Sequence, residues 1–338
     1  MIKKIFLVIL SIVSIIIIWN FDMLQYASNQ AYGQFKIIWE SEEIDDLILI
    51  KNTNKTIKRK LLLVQHVAEF AIQTLHLKPT RNYTKVYLPD KDTVTLAVIN
   101  ASDKLNLNEY LWHYPIIGDA PYKGFFNKKL LQTELKELHP KNLDVDVGIV
   151  EAWSTLGWFN DPLMGSMLEK DDEELAATII HEMLHATLFV KNSSQLNENL
   201  AEFVGEEGAK LYFNTSKNVN DSIDYFTAKE TKNKRFNLFM HLCAKQLQHL
   251  YDSNLSIDEK LIQKKKLLFS FCVELCKKNI FSIEKNRLIC ARILKSKNAF
   301  FTGFLTYNAK DETFKNELNT TFNKNIILFI NYYKTKYK

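Results

Sequence analysis

Glycine and proline are scarce in this 338-residue chain, at nine and six. That is too few for a fold of many tight β-turns, and it favours helices. Cysteine is scarce too: Cys243, Cys272, Cys276 and Cys290 all fall late, and none forms a Cys-x-x-Cys pair, so cysteine-based zinc binding has no support. Neither sign of charge dominates. The 44 Lys plus Arg stand against 39 Asp plus Glu, a net +5 spread along the chain, which leaves no basic stripe for nucleic acid. Repeats and low-complexity segments are also lacking. With 46% hydrophobic and 25% charged residues, the chain is neither disordered nor collagen-like.

One long apolar run is present, at the start. Lys3 and Lys4 precede Ile5 to Trp19, broken only by Ser11 and Ser14. A basic flank followed by an apolar segment describes an export signal. Ala27 and Ala31 are poorly spaced for cleavage, and no cysteine is available for a lipid anchor. The expectation is an uncleaved signal-anchor over residues 1–24, with the body on the outer side of the cytoplasmic membrane. A cleaved signal peptide is the alternative.

Residues 25–338 read as a single domain. Lys58–Leu77 carries apolar residues at a helical period and stops before Pro79. Strand-like runs follow at Lys85–Leu88 and Thr93–Ile99, then a helix over Gln132–Leu138. Asp144–Val150 alternates, with Val145, Val147 and Ile149 on one face and Asp144 and Asp146 on the other, as in a half-buried strand. From Asp171 onward the pattern predicts helices over 171–190, 196–213, 234–252, 256–278, 282–296 and 312–334. The fold class is α+β, mostly α, with strands early and helices late. Cys272 and Cys276 share a helix face and are read as small core hydrophobes, a helical disulfide or metal pair being the alternative.

Chemistry enters at His181-Glu182-Met183-Leu184-His185, a His-Glu-x-x-His sequence inside the apolar helix AATIIHEMLHATLFV. Residues four apart lie on one helix face, so both imidazoles can reach one Zn²⁺. Glu182 is displaced by one residue and can address a water rather than the metal. Two histidines and a glutamate in a buried helix are costly unless something satisfies them. A catalytic zinc needs a third protein ligand and one open position. After a short polar loop, Leu196–Phe203 offers Glu198 and Glu202, four apart on one face.

The pairing of HEMLH with NENLAEF resembles the gluzincin metallopeptidases, whose third ligand is the Glu of an Asn-Glu pair on a following helix. It is similar, more closely, to a bacterial family of putative zinc aminopeptidases. Ser154–Pro162 (STLGWFNDP) and Tyr122-Lys123-Gly124-Phe125-Phe126 carry that likeness, with weaker similarity at Gly33-Gln34 and Asn298–Tyr307. The chain departs from the family at position 153, a Trp in place of Tyr, and in lacking a lipoprotein cysteine.

The resemblance implies a gluzincin-like core, with His181, His185 and Glu198 as zinc ligands, Glu182 as general base, Glu202 orienting a ligand imidazole and Tyr307 as oxyanion donor. It implies hydrolysis of peptides by a zinc-activated water, with aminopeptidase action ahead of two alternatives, a zinc endopeptidase and a non-catalytic zinc-stabilised binding protein. The implied partners are a peptide substrate and, through the N-terminal helix, the membrane. Geometry and pattern disagree over the two glutamates. A hairpin ending its first helix at Val190 and starting its second at Leu196 sets a residue near 201 level with His185, which favours Glu202. The Asn-Glu pattern favours Glu198, and Glu198 is taken as the ligand. Asp144–Val150 and the Trp153–Phe159 run are expected to offer a sheet edge to an extended substrate.

Overall fold

The computed structural model describes residues 21–88, 96–114, 118–149, 160–215, 219–308 and 311–337. Helix α1 (Phe21–Trp39) leads into β1 (Glu42–Glu43), α2 (Ile44–Leu49) and α3 (Lys55–Gln73). The side chain of Asn54 caps α3, accepting from the Thr56 N–H at 2.8 Å. Leu61, Val64, Val67 and Ala71 form its buried stripe. The strands are short: β2 (Lys85–Tyr87), β3 (Ala97–Asp103), β4 (Trp112–Tyr114), β5 (Gly118–Ala120), β6 (Tyr122–Phe125), β7 (Leu143–Ile149) and β8 (Leu163–Met164), with α4 (Lys128–Leu138) between β6 and β7.

Two three-stranded sheets result. In one, β2 lies between antiparallel β1 and parallel β8. In the other, β3 lies between antiparallel β6 and β7. Strands β4 and β5 form a separate hairpin.

The rest is helical: α5 (Asp172–Thr187), α6 (Ser194–Asn214), α7 (Val219–Tyr251), α8 (Ile257–Lys278), α9 (Ile283–Ser296), α10 (Asn298–Asn308), α11 (Asp311–Thr320) and α12 (Ile326–Lys336). The main core joins α3, α5 and α6 to Phe314, Phe329, Ile330 and Tyr333 of α11 and α12. A second cluster, from α7 to α10, centres on Phe239, Leu268, Phe271 and Phe301. The mostly helical α+β class is thus the observed one.

Several expectations change in detail. Helix α7 starts fifteen residues before the predicted position, because its first half is polar and is held by ion pairs, Lys229 with Glu206 at 3.0 Å and Lys210 with Glu230 at 3.7 Å. The single helix predicted over 312–334 is two. Asn323 and Lys324 take left-handed backbone, and Asn325 caps α12. Helix α10 had no counterpart in the sequence reading.

Strand β7 inverts the expected burial. Asp144 and Asp146 are its buried residues, whereas Val147 is exposed and Ile149 is 66% exposed. Asp144 pairs with buried Lys264 of α8 and accepts the Asn298 N–H at 3.2 Å. Asp146 is held by Arg292 at 2.6 Å and by the Ser296 hydroxyl. The aspartates face inward because the C-terminal helices bring them partners.

The four thiols are free, with Cys243 and Cys272 buried. Burial pushes the thiols of Cys243 and Cys290 up to about 12, so neither offers a thiolate near neutrality. Among the described residues no helix is long and apolar enough to cross a membrane. Residues 1–20 of the expected anchor lie outside them, and the expected boundary at 24/25 falls inside α1.

Candidate metal centre

Helix α5 opens on Asp172, Glu173 and Glu174, acids that suit the positive end of a helix dipole. Burial works to raise the Asp172 carboxyl, but Arg59 and Lys60 of α3 outweigh it and hold the group below its usual range. This ties α5 to α3. Leu175, Ile179, Ile180, Met183 and Leu184 then bury the helix nearly all round.

Helix α6 returns antiparallel along α5, with Gly205 against Ala177, Glu202 against His181 and Glu198 against His185. Two glycines permit the close approach. A Cβ on Gly205 would stand 2.6 Å from the Ala177 carbonyl oxygen, and one on Gly208 would stand 3.2 Å from the Ile180 side chain. The loop between the helices is pinned by Asn197, whose side chain accepts the Val190 N–H at 2.9 Å and donates to the Val190 carbonyl at 2.8 Å. The Asn of the Asn-Glu pair therefore sets where Glu198 enters.

The simple hairpin estimate misjudged both ends. Helix α5 stops at Thr187 rather than Val190, and α6 begins at Ser194 rather than Leu196. Those shifts move the residue level with His185 toward the start of α6, and Glu198 rather than residue 201 faces it, at 3.6 Å.

Three side chains converge. His181 Nε2 and His185 Nε2 lie 3.1 Å apart. The Glu198 carboxylate stands 3.5 Å from the first and 3.6 Å from the second. A tetrahedral ion with ligands at about 2.0–2.1 Å spaces them by roughly 3.4 Å, so the three donors suit one cation. His181, His185 and Glu198 form a His/His/Glu cluster that could hold a metal ion, all three ligand atoms within 4.8 Å of one another.

The other nitrogen of His181, Nδ1, faces Glu202 at 3.4 Å. That partner favours the tautomer with hydrogen on Nδ1 and leaves Nε2 its lone pair. Burial opposes charge on His181. Glu198, Glu202 and Glu182 together overcome it and raise the imidazole well above its ordinary value. Burial likewise opposes charge on Glu198, and the two histidines reverse that and lower it. Three carboxylates gathered on two imidazoles are what a divalent cation would balance.

Glu182 is 9% exposed. The charge of its carboxylate reaches two tyrosines, and the sequence reading named neither as a site residue. Tyr122 opens β6. Burial raises its phenol to about 12, with the charges of Glu198 and Glu182 adding to the effect. The β4–β5 hairpin just before it is docked on the α5–α6 loop, where Gly118, at φ +83°, leaves no room for a side chain against Asn192. Tyr83 lies deeper. It is a buried non-glycine residue at φ +63°, and its hydroxyl has no hydrogen-bond partner among the described residues. Burial raises its phenol well above the usual value, with Glu182 and Asp161 adding to it. Asp161 holds this turn: its carbonyl accepts the Tyr83 N–H at 2.8 Å, and its N–H donates to Asn82 at 3.0 Å.

The remaining expected site features lie elsewhere. Tyr307 falls near the end of α10, and its side chain is outside the described residues, as is the Trp153–Phe159 run. Strand β7 is a sheet edge among the described residues, but its aspartates turn to the C-terminal helices. The strand whose first residue feels the charges of Glu198 and Glu182 is β6, at the opposite edge. Its outward carbonyls are already taken, Gly124 by the Tyr26 hydroxyl at 2.9 Å and Tyr122 by the Tyr114 hydroxyl at 3.4 Å.

No curated protein and no solved structure matches this chain. A family model does, the one described as "Putative aminopeptidase", over residues 25–335. The match takes in β6, the His-Glu-x-x-His helix and the glutamates of α6 alike, and the chain belongs to that putative aminopeptidase family.

Proposed function

We propose that this protein is a zinc peptidase that removes N-terminal residues from peptides, held at the outer face of the cytoplasmic membrane by residues 1–24, with residues 25–338 as one catalytic domain. The observation that carries the chemistry is the meeting of His181 Nε2, His185 Nε2 and the Glu198 carboxylate, with Glu182 one residue off the ligand face. A zinc ion held by these three would polarise the scissile carbonyl and acidify a water. Glu182 takes the proton from the attacking water and passes it to the leaving amine nitrogen. Tyr122, whose phenol feels the charges of Glu198 and Glu182, donates a hydrogen bond to the oxygen of the scissile carbonyl as negative charge develops there, with Tyr307 as the alternative donor that the family resemblance implies. Glu202 holds the His181 ring through Nδ1. A zinc site that served only to stabilise the fold would have no use for a general base on the helix, which weighs against a purely structural metal. The preference for free N-termini rests on the family.

The test compares free and N-acetylated copies of the same short peptides, using purified full-length protein of measured zinc content. The expected outcome is about one zinc per chain and stepwise loss of N-terminal residues from the free peptides alone. Equal internal cleavage of both sets would make the protein an endopeptidase. Folded protein without a divalent metal would remove the peptidase reading.

A further inference from the structure

Helix α1 turns one face to the body, and no described residue covers the other. On the inner side the Tyr26 hydroxyl bonds the Gly124 carbonyl at 2.9 Å, Gly33 sits flush on the Phe126 ring, and Ile37 is buried. On the outer side, at steps of three and four residues, come Phe21, Leu24, Ser28, Tyr32, Phe35 and Trp39. These positions fall within one narrow stripe along the helix. Phe21 is 57%, Tyr32 68%, Phe35 60% and Trp39 76% exposed. The last two rings stack on each other, 5.7 Å between centroids. An apolar stripe some 27 Å long, at 1.5 Å per residue, is not left to water without a use.

We propose that this stripe lies against the lipid surface, so that α1 runs in the plane of the membrane interface and seats the body on the bilayer. The inference rests on the anchor reading of residues 1–24. The chain supplies the occupant. The apolar run Ile5–Trp19 ends two residues before Phe21, so an anchor there delivers the first turn of α1 to the headgroup level. The side chains fit that boundary. Tyr and Trp rings, apolar with one polar atom, are the residues enriched at membrane interfaces, whereas a seam between two copies of a helix favours Leu, Ile and Val. Asp22 and Lys36 are the charged residues of the helix, so attachment needs no anionic lipid. The consequence is orientation. Helix α1 grips Gly124 of β6 and Phe126 just after it, and β6 begins at Tyr122, whose phenol feels the charges of Glu198 and Glu182. The membrane contact and the site are thereby linked through one short strand.

The test uses full-length protein reconstituted in phosphatidylcholine vesicles, with or without phosphatidylcholine brominated on its acyl chains, which quenches tryptophan on contact. The fluorescence of Trp39 is the difference between wild type and Trp39→Phe. The expected result is marked loss of that difference signal in brominated vesicles. The loss should shrink in Tyr32→Ser/Phe35→Ser, whose changes are at exposed positions, while the protein still sediments with vesicles. An unquenched Trp39 in protein that sediments with the vesicles overturns the inference, and the face is then covered by a second copy or by residues 1–20. Protein that fails to sediment with vesicles overturns the anchor reading and this inference with it.

Discussion

Gly205 rests against the backbone of Ala177, so close that a methyl group on it would stand 2.6 Å from the Ala177 carbonyl oxygen and 3.2 Å from the His181 Cβ. The separation of α5 and α6 at the first histidine is therefore set by a missing side chain. Gly205→Ala should push the helices apart, costing about 1–3 kcal/mol, and should lengthen the reach of Glu198 and Glu202 to the imidazoles. Urea unfolding and zinc titration of the variant would read both. An unchanged midpoint with unchanged zinc affinity would mean that the helices absorb the methyl elsewhere.

Glu182→Gln keeps the shape of the side chain and touches no proposed ligand. It removes the proton acceptor. Zinc content should stay near wild type while hydrolysis falls by about 10²–10⁴. Peptide cleavage at the wild-type rate would remove Glu182 from the mechanism.

Glu198 and Glu202 should separate in a zinc titration. Glu198 addresses the Nε2 atoms of both histidines, whereas Glu202 addresses the Nδ1 of one. Glu198→Ala should be purified without zinc. Glu202→Ala should bind it about 10–100-fold more weakly than wild type. The reverse order would exchange their roles.

Tyr122→Phe removes the hydroxyl proposed as the oxyanion donor. Its effect should fall on kcat, by about 10²–10³, with KM and zinc content little changed. A peptide analogue carrying a tetrahedral phosphinate at the scissile position should lose affinity in parallel. Loss of KM alone would make Tyr122 a substrate-binding residue.

What the sequence displayed, and what it hid, follows from how far apart the contacting residues lie along the chain. His181, His185, Glu198 and Glu202 belong to one helical hairpin, so spacing and pattern suffice to nominate them together. Its turn was harder: six loop residues pinned by Asn197 move the helix ends by two and three positions, enough to make Glu202 look level with His185. Tyr122 sits in a segment singled out by resemblance, yet nothing local marks it as a site residue. It comes to the cluster because Gly118 docks on Asn192, 74 residues later in the chain. Strand β7 misled most. It alternates as its pattern predicts, yet the face it buries carries Asp144 and Asp146, whose partners lie on helices more than a hundred residues further on.

That inverted strand also yields a prediction about stability. Lys264 is buried to 2% exposure beside Asp144, and its ammonium also donates to the Lys104 carbonyl at 2.6 Å. Burial lowers the Lys264 pKa, and Asp144 only partly restores it. Such a pair adds little net stability as a pair, yet removing Lys264 leaves the buried Asp144 charge only the more distant, half-exposed Lys297, 3.8 Å away. Lys264→Met should therefore cost about 3–5 kcal/mol, read from the urea midpoint. Adding Asp144→Asn removes the stranded charge while keeping an acceptor for the Asn298 N–H, so the double variant should regain part of that loss. The two changes should then couple, each single variant costing more than its share of the double. Simple additivity would mean that Asp144 is satisfied by Asn298 and its surroundings without Lys264, and that the lysine serves chiefly to bond the Lys104 carbonyl.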